Sequence, residues 1–121
     1  MLIIVNFILI GNQTRSLLLH INNHPDLKVN GIEVFSYQGR NQGMKLATNI
    51  FQEIIKSTGF AGLGVKEQNF VVVRETNMPS VLVEVGFLSN YQEEKIMRTP
   101  EFKDNPALGI LVGIKKNYEG L

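Results

Sequence analysis

Residues 70–88 read FVVVRETNMPSVLVEVGFL. Two apolar runs, FVVV at 70–73 and VLVEV at 81–85, are rich in β-branched side chains and read as buried strands. The seven residues between them, Arg74 to Ser80, are too few for a helical crossover. The two strands are therefore either antiparallel neighbours or not adjacent at all. Inside the second run sits a single carboxylate, Glu84, with apolar side chains on both sides. An unpaired buried carboxylate is very costly, so Glu84 must face a partner, a metal site or a cleft.

Working outward, residues 42–57 place Met44, Ala47, Phe51 and Ile54 at helical spacing, with Ile50 and Ile55 beside them, and Gly59 supplies a stop. The following GFAGLG, residues 59–64, reads as a glycine-rich loop. Residues 32–37 (IEVFSY) alternate like a strand. Residues 16–22 (SLLLHIN) read as a short buried strand that ends in His20 and polar Asn22. The apolar run 2–10 fits either a strand or a short buried helix, and residues 11–14 (GNQT) read as a turn. Downstream, Asn90 and Glu93 have capping-box spacing and open a helix. Thr99-Pro100 and Asn105-Pro106 each set proline at a first helical position. A final helix over 106–118 shows Ala107, Leu111, Ile114 and Tyr118 on one face, weakened locally by Gly109 and Gly113. This order predicts an α/β domain, a mixed, mostly parallel sheet flanked by helices.

Composition narrows the function classes. The chain has 121 residues, the size of one domain, with 44% hydrophobic and 19% charged residues, which argues against disorder. Twelve basic and eleven acidic residues leave a net charge of +1 and no basic run, so no nucleic-acid partner is indicated. The chain contains no cysteine, which excludes disulfides, thiolate zinc sites and cysteine catalysis. The run 2–10 is about half the ~20 residues needed to span a bilayer, and it lacks the basic flank and cleavage site of an intact signal peptide.

Several residues could carry chemistry. His20 closes a strand, where open α/β sheets place ligands, and a neutral imidazole is the commonest metal ligand; a structural histidine is the alternative. His24 follows at H-x-x-x-H spacing, but Pro25 makes the segment strand-to-loop, and His24 reads as a solvated loop residue. Glu84 is a general acid/base candidate, since burial raises a carboxyl pKa; a structural ion pair with Arg74 is the alternative. Glu33 could face solvent from its strand or line a site. Arg74, Glu75 and Asn77 either rim a site or form a polar turn. The glycine-rich loop matches no phosphate-binding pattern, and no G-x-S-x-G elbow occurs.

The stretch RETNMPSVLVEVGFLSN, residues 74–90, closely resembles the C-terminal signature of zinc-dependent N-acetylmuramoyl-L-alanine amidases, which cleave the amide between N-acetylmuramic acid and L-alanine in peptidoglycan. LLLHINNHPD (17–26), VNGIEVFSY (29–37), GVKEQNFVVVRET (64–76) and the terminal helices resemble the family in order and spacing. The resemblance covers residues 16–119 and implies a mixed sheet with helices on both faces, one zinc ion held by two histidines and a glutamate, and a further glutamate as general base. By motif position, His20 matches the second zinc histidine and Glu84 the catalytic glutamate, with Asn22, Arg74 and Glu33 as candidate substrate-binding residues. It implies peptidoglycan as partner and an extracellular or cell-wall location.

The first zinc histidine and the zinc glutamate of the family have no counterpart in this sequence, which leaves His24, Asp26 and Glu33 as the nearby substitutes. Leu63 stands where the family usually has a basic residue. The resemblance thus divides the chain into an unmatched segment 1–15 and the C-terminal portion of an amidase catalytic domain, 16–121. Two functions follow: a peptidoglycan amidase, or a truncated, catalytically impaired remnant that at most binds peptidoglycan.

Overall fold

The structure, a computed structural model, describes residues 3–10, 13–37, 41–68, 80–102 and 104–119. Its elements run β1 (Ile3–Ile10), β2 (Gln13–Asn22), β3 (Ile32–Tyr37), α1 (Asn41–Thr58), β4 (Gly62–Gln68), β5 (Ser80–Phe87), α2 (Tyr91–Met97) and α3 (Asp104–Glu119). The strand expected at 70–73, together with Arg74, Glu75 and Asn77, lies outside the described residues.

The five described strands form one sheet in the order β1-β2-β5-β3-β4. Pairing is parallel for β2–β5 and β3–β4, antiparallel for β1–β2 and β3–β5, so the sheet is mixed as its sequence predicts. The central position of β5 explains the VLVEV run: it has a strand on either side and is buried along nearly its whole length. The open choice at residues 2–10 resolves to strand, because β1 pairs antiparallel with β2 from Ile3↔His20 to Ile10↔Gln13. Gln13 and Thr14, expected in a turn, are already part of that ladder.

Two faces of the sheet differ. Leu17, Ile32, Val34, Val81, Val83 and Val85 pack against Leu46, Ala47, Ile50 and Ile54 of α1. Each fully buried valine, leucine or isoleucine among them contributes about 1.5–3 kcal/mol. The alternate residues of the same strands point to the opposite face, where Leu18 packs with Phe35, Tyr37 and Leu82.

Three local expectations are corrected. The GFAGLG loop is shorter than its glycine content suggests, because Gly62 already begins β4. Among the described strands β4 lies at the edge of the sheet with most of its side chains exposed, so it shows no apolar period, and its pairing with β3 defines it. The ladder pairs Ile32 with Gly62 but Glu33 with Gly64, which makes Leu63 the extra residue of a bulge, with Gly64 at φ 106°. Thr99-Pro100 opens a turn rather than a helix: Thr99 Oγ1 donates to the Ile96 carbonyl at 2.7 Å and the Thr99 carbonyl accepts from Phe102 N–H at 3.2 Å. At the second proline the helix starts earlier, at Asp104, so Pro106 is its third residue, where no intrahelical N–H bond is lost.

The buried face of α3 is also not the expected one. Of the expected face only Ile114 packs against the core, Ala107, Leu111 and Tyr118 being exposed, whereas Pro106, Gly109, Ile110, Gly113 and Asn117 are buried. Gly109 and Gly113 let α3 lie against α1: a Cβ at Gly109 would stand 2.5 Å from Ile54 Cα, and one at Gly113 would stand 2.6 Å from Ile50 Cα. Polar ties reinforce this contact. Lys116 Nζ donates to Glu53 Oε1 at 2.5 Å, and Asn49 Nδ2 donates to Asn117 Oδ1 at 3.2 Å. The Lys116 ammonium is the main reason that the Glu53 carboxyl is held below its ordinary value.

Candidate active site

The strand register assembles a row of charged side chains on the face opposite α1. In the parallel pair β2–β5, His20 stands beside Glu84; in the antiparallel pair β3–β5, Glu33 stands on the other side of Glu84. Cross-strand partners share a face, so the three side chains line one edge-to-edge row. His20 Nδ1 lies 2.5 Å from Glu84 Oε2. An Nδ1 proton donated to that carboxylate makes Nε2 the lone-pair nitrogen of the ring. Glu33 turns the other way: its Oε2 accepts from Lys66 Nζ of β4 at 2.5 Å.

The row lies in the C-terminal halves of β2 and β5 and at the start of β3. The β2–β5 ladder shifts between His20 and Asn22, and the next residue after Val85 is Gly86, at φ 80°. A Cβ at Gly86 would stand 2.6 Å from Met97 Cε, a side-chain end that can shift, so it is the left-handed backbone conformation that calls for glycine here. Burial is the main cause that pushes the Glu84 carboxyl above its ordinary value. The His20 hydrogen bond and charge oppose it, and the neighbouring Glu33 charge adds to it.

The other candidates fall in different places. Asn22, at the end of β2, uses its side-chain Oδ1 to accept from Asn23 N–H at 2.8 Å, and its carbonyl accepts from Leu88 N–H. Arg74 lies outside the described residues. His24 and Asp26 shape their own loop: His24 Nδ1 accepts from Asp26 N–H at 2.9 Å, and Asp26 Oδ1 accepts from Lys28 N–H at 3.0 Å. The His24 ring meets Phe87 edge-on, with centroids 6.2 Å apart. A metal site rebuilt from His24, Asp26 and Glu33 is therefore not formed.

With this geometry in place, comparison with known proteins is decisive. Residues 10–116 match the family model described as N-acetylmuramoyl-L-alanine amidase. The chain belongs to this amidase family. It is 31% identical over 103 residues to the N-acetylmuramoyl-L-alanine amidase LytC of Bacillus subtilis, covering 83% of this chain and 21% of LytC. An uncharacterised Bacillus subtilis protein, YqiI, is 31% identical over 84% of this chain and 50% of its own length. Among solved structures, the catalytic domain of CwlV from Paenibacillus polymyxa superposes with a TM-score of 0.75 at 36% identity, covering 84% of this chain and 55% of that one. The Clostridioides difficile amidase CwlD, solved with the GerS lipoprotein, gives a TM-score of 0.80 at 27% identity over 85% of this chain and 53% of its own. The chain thus spans half or less of the curated relatives named here, and about half of the solved amidase chains.

The family resemblance raises zinc, and the donor set can be tested against it. A catalytic zinc ion needs three protein ligands and an open position. Among the described residues no group of three histidine, aspartate or glutamate side chains could hold a metal ion. Glu33 is turned to Lys66 rather than toward His20. The described residues therefore do not by themselves make a zinc site.

Two functional-looking residues escaped the reading of the sequence. Lys66 lies in the block 64–76, which shows no apolar period; it pairs with Phe35 on the same face as Glu33, and its side chain reaches back to the row through the Glu33 contact. The spacing of Glu93 from Asn90 predicts the reciprocal half of a capping box. Asn90 Oδ1 does cap α2, accepting from Glu93 N–H at 3.0 Å. The Glu93 carboxylate, however, turns inward and accepts from Gly31 N–H and Phe87 N–H, each at 2.8 Å.

Proposed function

We propose that this chain is the C-terminal portion, from residue 16, of a catalytic domain that hydrolyses the amide between N-acetylmuramic acid and L-alanine in peptidoglycan, with residues 1–15 as an additional segment. The observation that carries this reading is the His20–Glu84 pair, 2.5 Å apart on neighbouring strands within the family-matched span. Glu84 is the general base in this reading. Its raised proton affinity suits a group that takes a proton from water as the oxygen adds to the carbonyl carbon. The same carboxyl then delivers the proton to the alanine nitrogen as the C–N bond breaks, which leaves a carboxylic acid and a free amine.

His20 orients the Glu84 carboxylate and would be one ligand of a zinc ion, whose remaining ligands would lie outside the described residues. Asn22 and Arg74 belong to the substrate-binding rim in this reading, and peptidoglycan places the protein at the cell wall or outside the cell. No described helix is long and apolar enough to cross a membrane.

The test is release of new alanine amino termini from purified sacculi in the presence of zinc. Release by the wild type, with a loss of at least about 100-fold for Glu84→Gln, is the expected outcome. The lack of a three-ligand cluster among the described residues favours a second reading, a remnant that binds peptidoglycan without cutting it. Binding to sacculi with no new amino termini selects that reading.

A further inference from the structure

The charged row does not end at Glu84. Glu33 stands one strand away from Glu84, and Lys66 lies on the next strand out, with its ammonium bent back to the Glu33 carboxylate at 2.5 Å. The Glu33 side chain is only 14% exposed, whereas that of Lys66 is 54% exposed. One cation is therefore fixed in direction by a nearly buried carboxylate, yet it faces solvent beside the proposed reaction centre. An ammonium has three N–H donors, and the contact with Glu33 uses one of them. Glu33 also offsets part of the lysine's charge, so the group suits a hydrogen-bonded carboxylate more than a diffuse anionic surface.

We infer that Lys66, held by Glu33, is a specificity-determining residue that recognises a carboxylate on the peptide side of the scissile amide. This rests on the amidase reading above. The sugar side of that bond offers no anion, because its lactyl carboxyl is consumed in the amide. The peptide side does, since its second residue is a γ-linked glutamate with a free α-carboxyl in some stems and a carboxamide in others. The distances suit this direction. Adjacent strands are about 4.8 Å apart, so the bent-back ammonium lies between one and two strand spacings, about 5–10 Å, from Glu84. Two peptide residues from the scissile nitrogen extend about 7 Å.

The experiment compares two N-acetylmuramoyl tripeptides that differ only in the second residue, γ-D-glutamyl against γ-D-isoglutaminyl, titrated into the full chain by calorimetry. The wild type is expected to bind the carboxylate form about fivefold more tightly, the range of a partly exposed charge pair. Lys66→Gln is expected to bring the two ligands within about twofold of each other by weakening the carboxylate form alone, and Lys66→Arg to restore the preference. Equal binding by the wild type, or a preference that survives Lys66→Gln, overturns the assignment to Lys66 while leaving the amidase reading intact. Failure of the wild type to bind either ligand overturns the amidase reading and this inference with it.

Discussion

Glu93 shows how a single side chain can be misread locally and still be indispensable. Its carboxylate joins the start of β3, through Gly31, to the end of β5, through Phe87, and so holds the loops beside the charged row. Glu93→Ala strips the acceptor from two backbone N–H groups, one of them in a buried strand end, and should destabilise the fold by about 2–4 kcal/mol in urea denaturation. Burial is the main cause that raises the Glu93 carboxyl above its ordinary value of 4.5. The folded state then holds this proton more tightly than the unfolded state does. Its contribution to stability is complete below pH 4.5 and is lost as the pH rises through the higher folded-state value. Urea midpoints of the wild type should therefore decline over that window relative to those of Glu93→Gln. A difference between the two proteins that does not change with pH would show that Glu93 does not titrate there. At this scale the importance of Glu84 was legible, because one carboxylate in an apolar run is conspicuous. The inward turn of Glu93 was not, because its spacing from Asn90 also fits an ordinary cap.

At the scale of elements, α3 sets helix propensity against packing. Replacing glycine by alanine in a helix interior usually stabilises it by about 0.5–1 kcal/mol. Here Gly113→Ala would bring a methyl group 2.6 Å from the α1 backbone at Ile50, where backbone cannot yield cheaply. The expected outcome is a net loss of about 1–3 kcal/mol in chemical denaturation, with Gly109→Ala behaving alike. A gain in stability would mean that α1 and α3 do not approach this closely. The capping of α2 is a milder case: Asn90→Ala should cost about 1 kcal/mol by thermal melting, since one helix-terminal N–H loses its acceptor. The cap could be read from sequence because it is a contact across three residues. The glycine pair could not, because its reason lies in another helix.

For the whole molecule, the question is which apolar surface is core. Leu111 at 63% and Tyr118 at 51% exposure lie on the face of α3 that points away from α1. Leu111→Lys should therefore leave the unfolding free energy within about 0.5 kcal/mol of the wild type. Because Leu108, Leu111 and Tyr118 together expose apolar area, it should also lower any self-association seen by sedimentation. A loss of several kcal/mol would place Leu111 in the core after all. Between the sheet and α1, by contrast, the apolar periodicity of residues 42–57 pointed to the face that is buried, because that helix packs directly on three strands that are themselves apolar.

The sequence alone determined the class of fold, the strands at 16–22, 32–37 and 81–85, the long first helix, and, as separate residues of interest, a strand-end histidine and one carboxylate in an apolar run, which only the family resemblance assigned to one site. These follow from local patterns, or from a carboxylate whose surroundings along the chain are already apolar. Only the tertiary structure decided the rest. It set β5 between β2 and β3, which puts His20, Glu84 and Glu33 in one row from three distant segments and turns Lys66 toward them from a fourth. It also chose the glycine side of α3 as the buried one. Register and close approach are relations between segments, fixed by ladder hydrogen bonds and by backbone contact, and no single segment carries them.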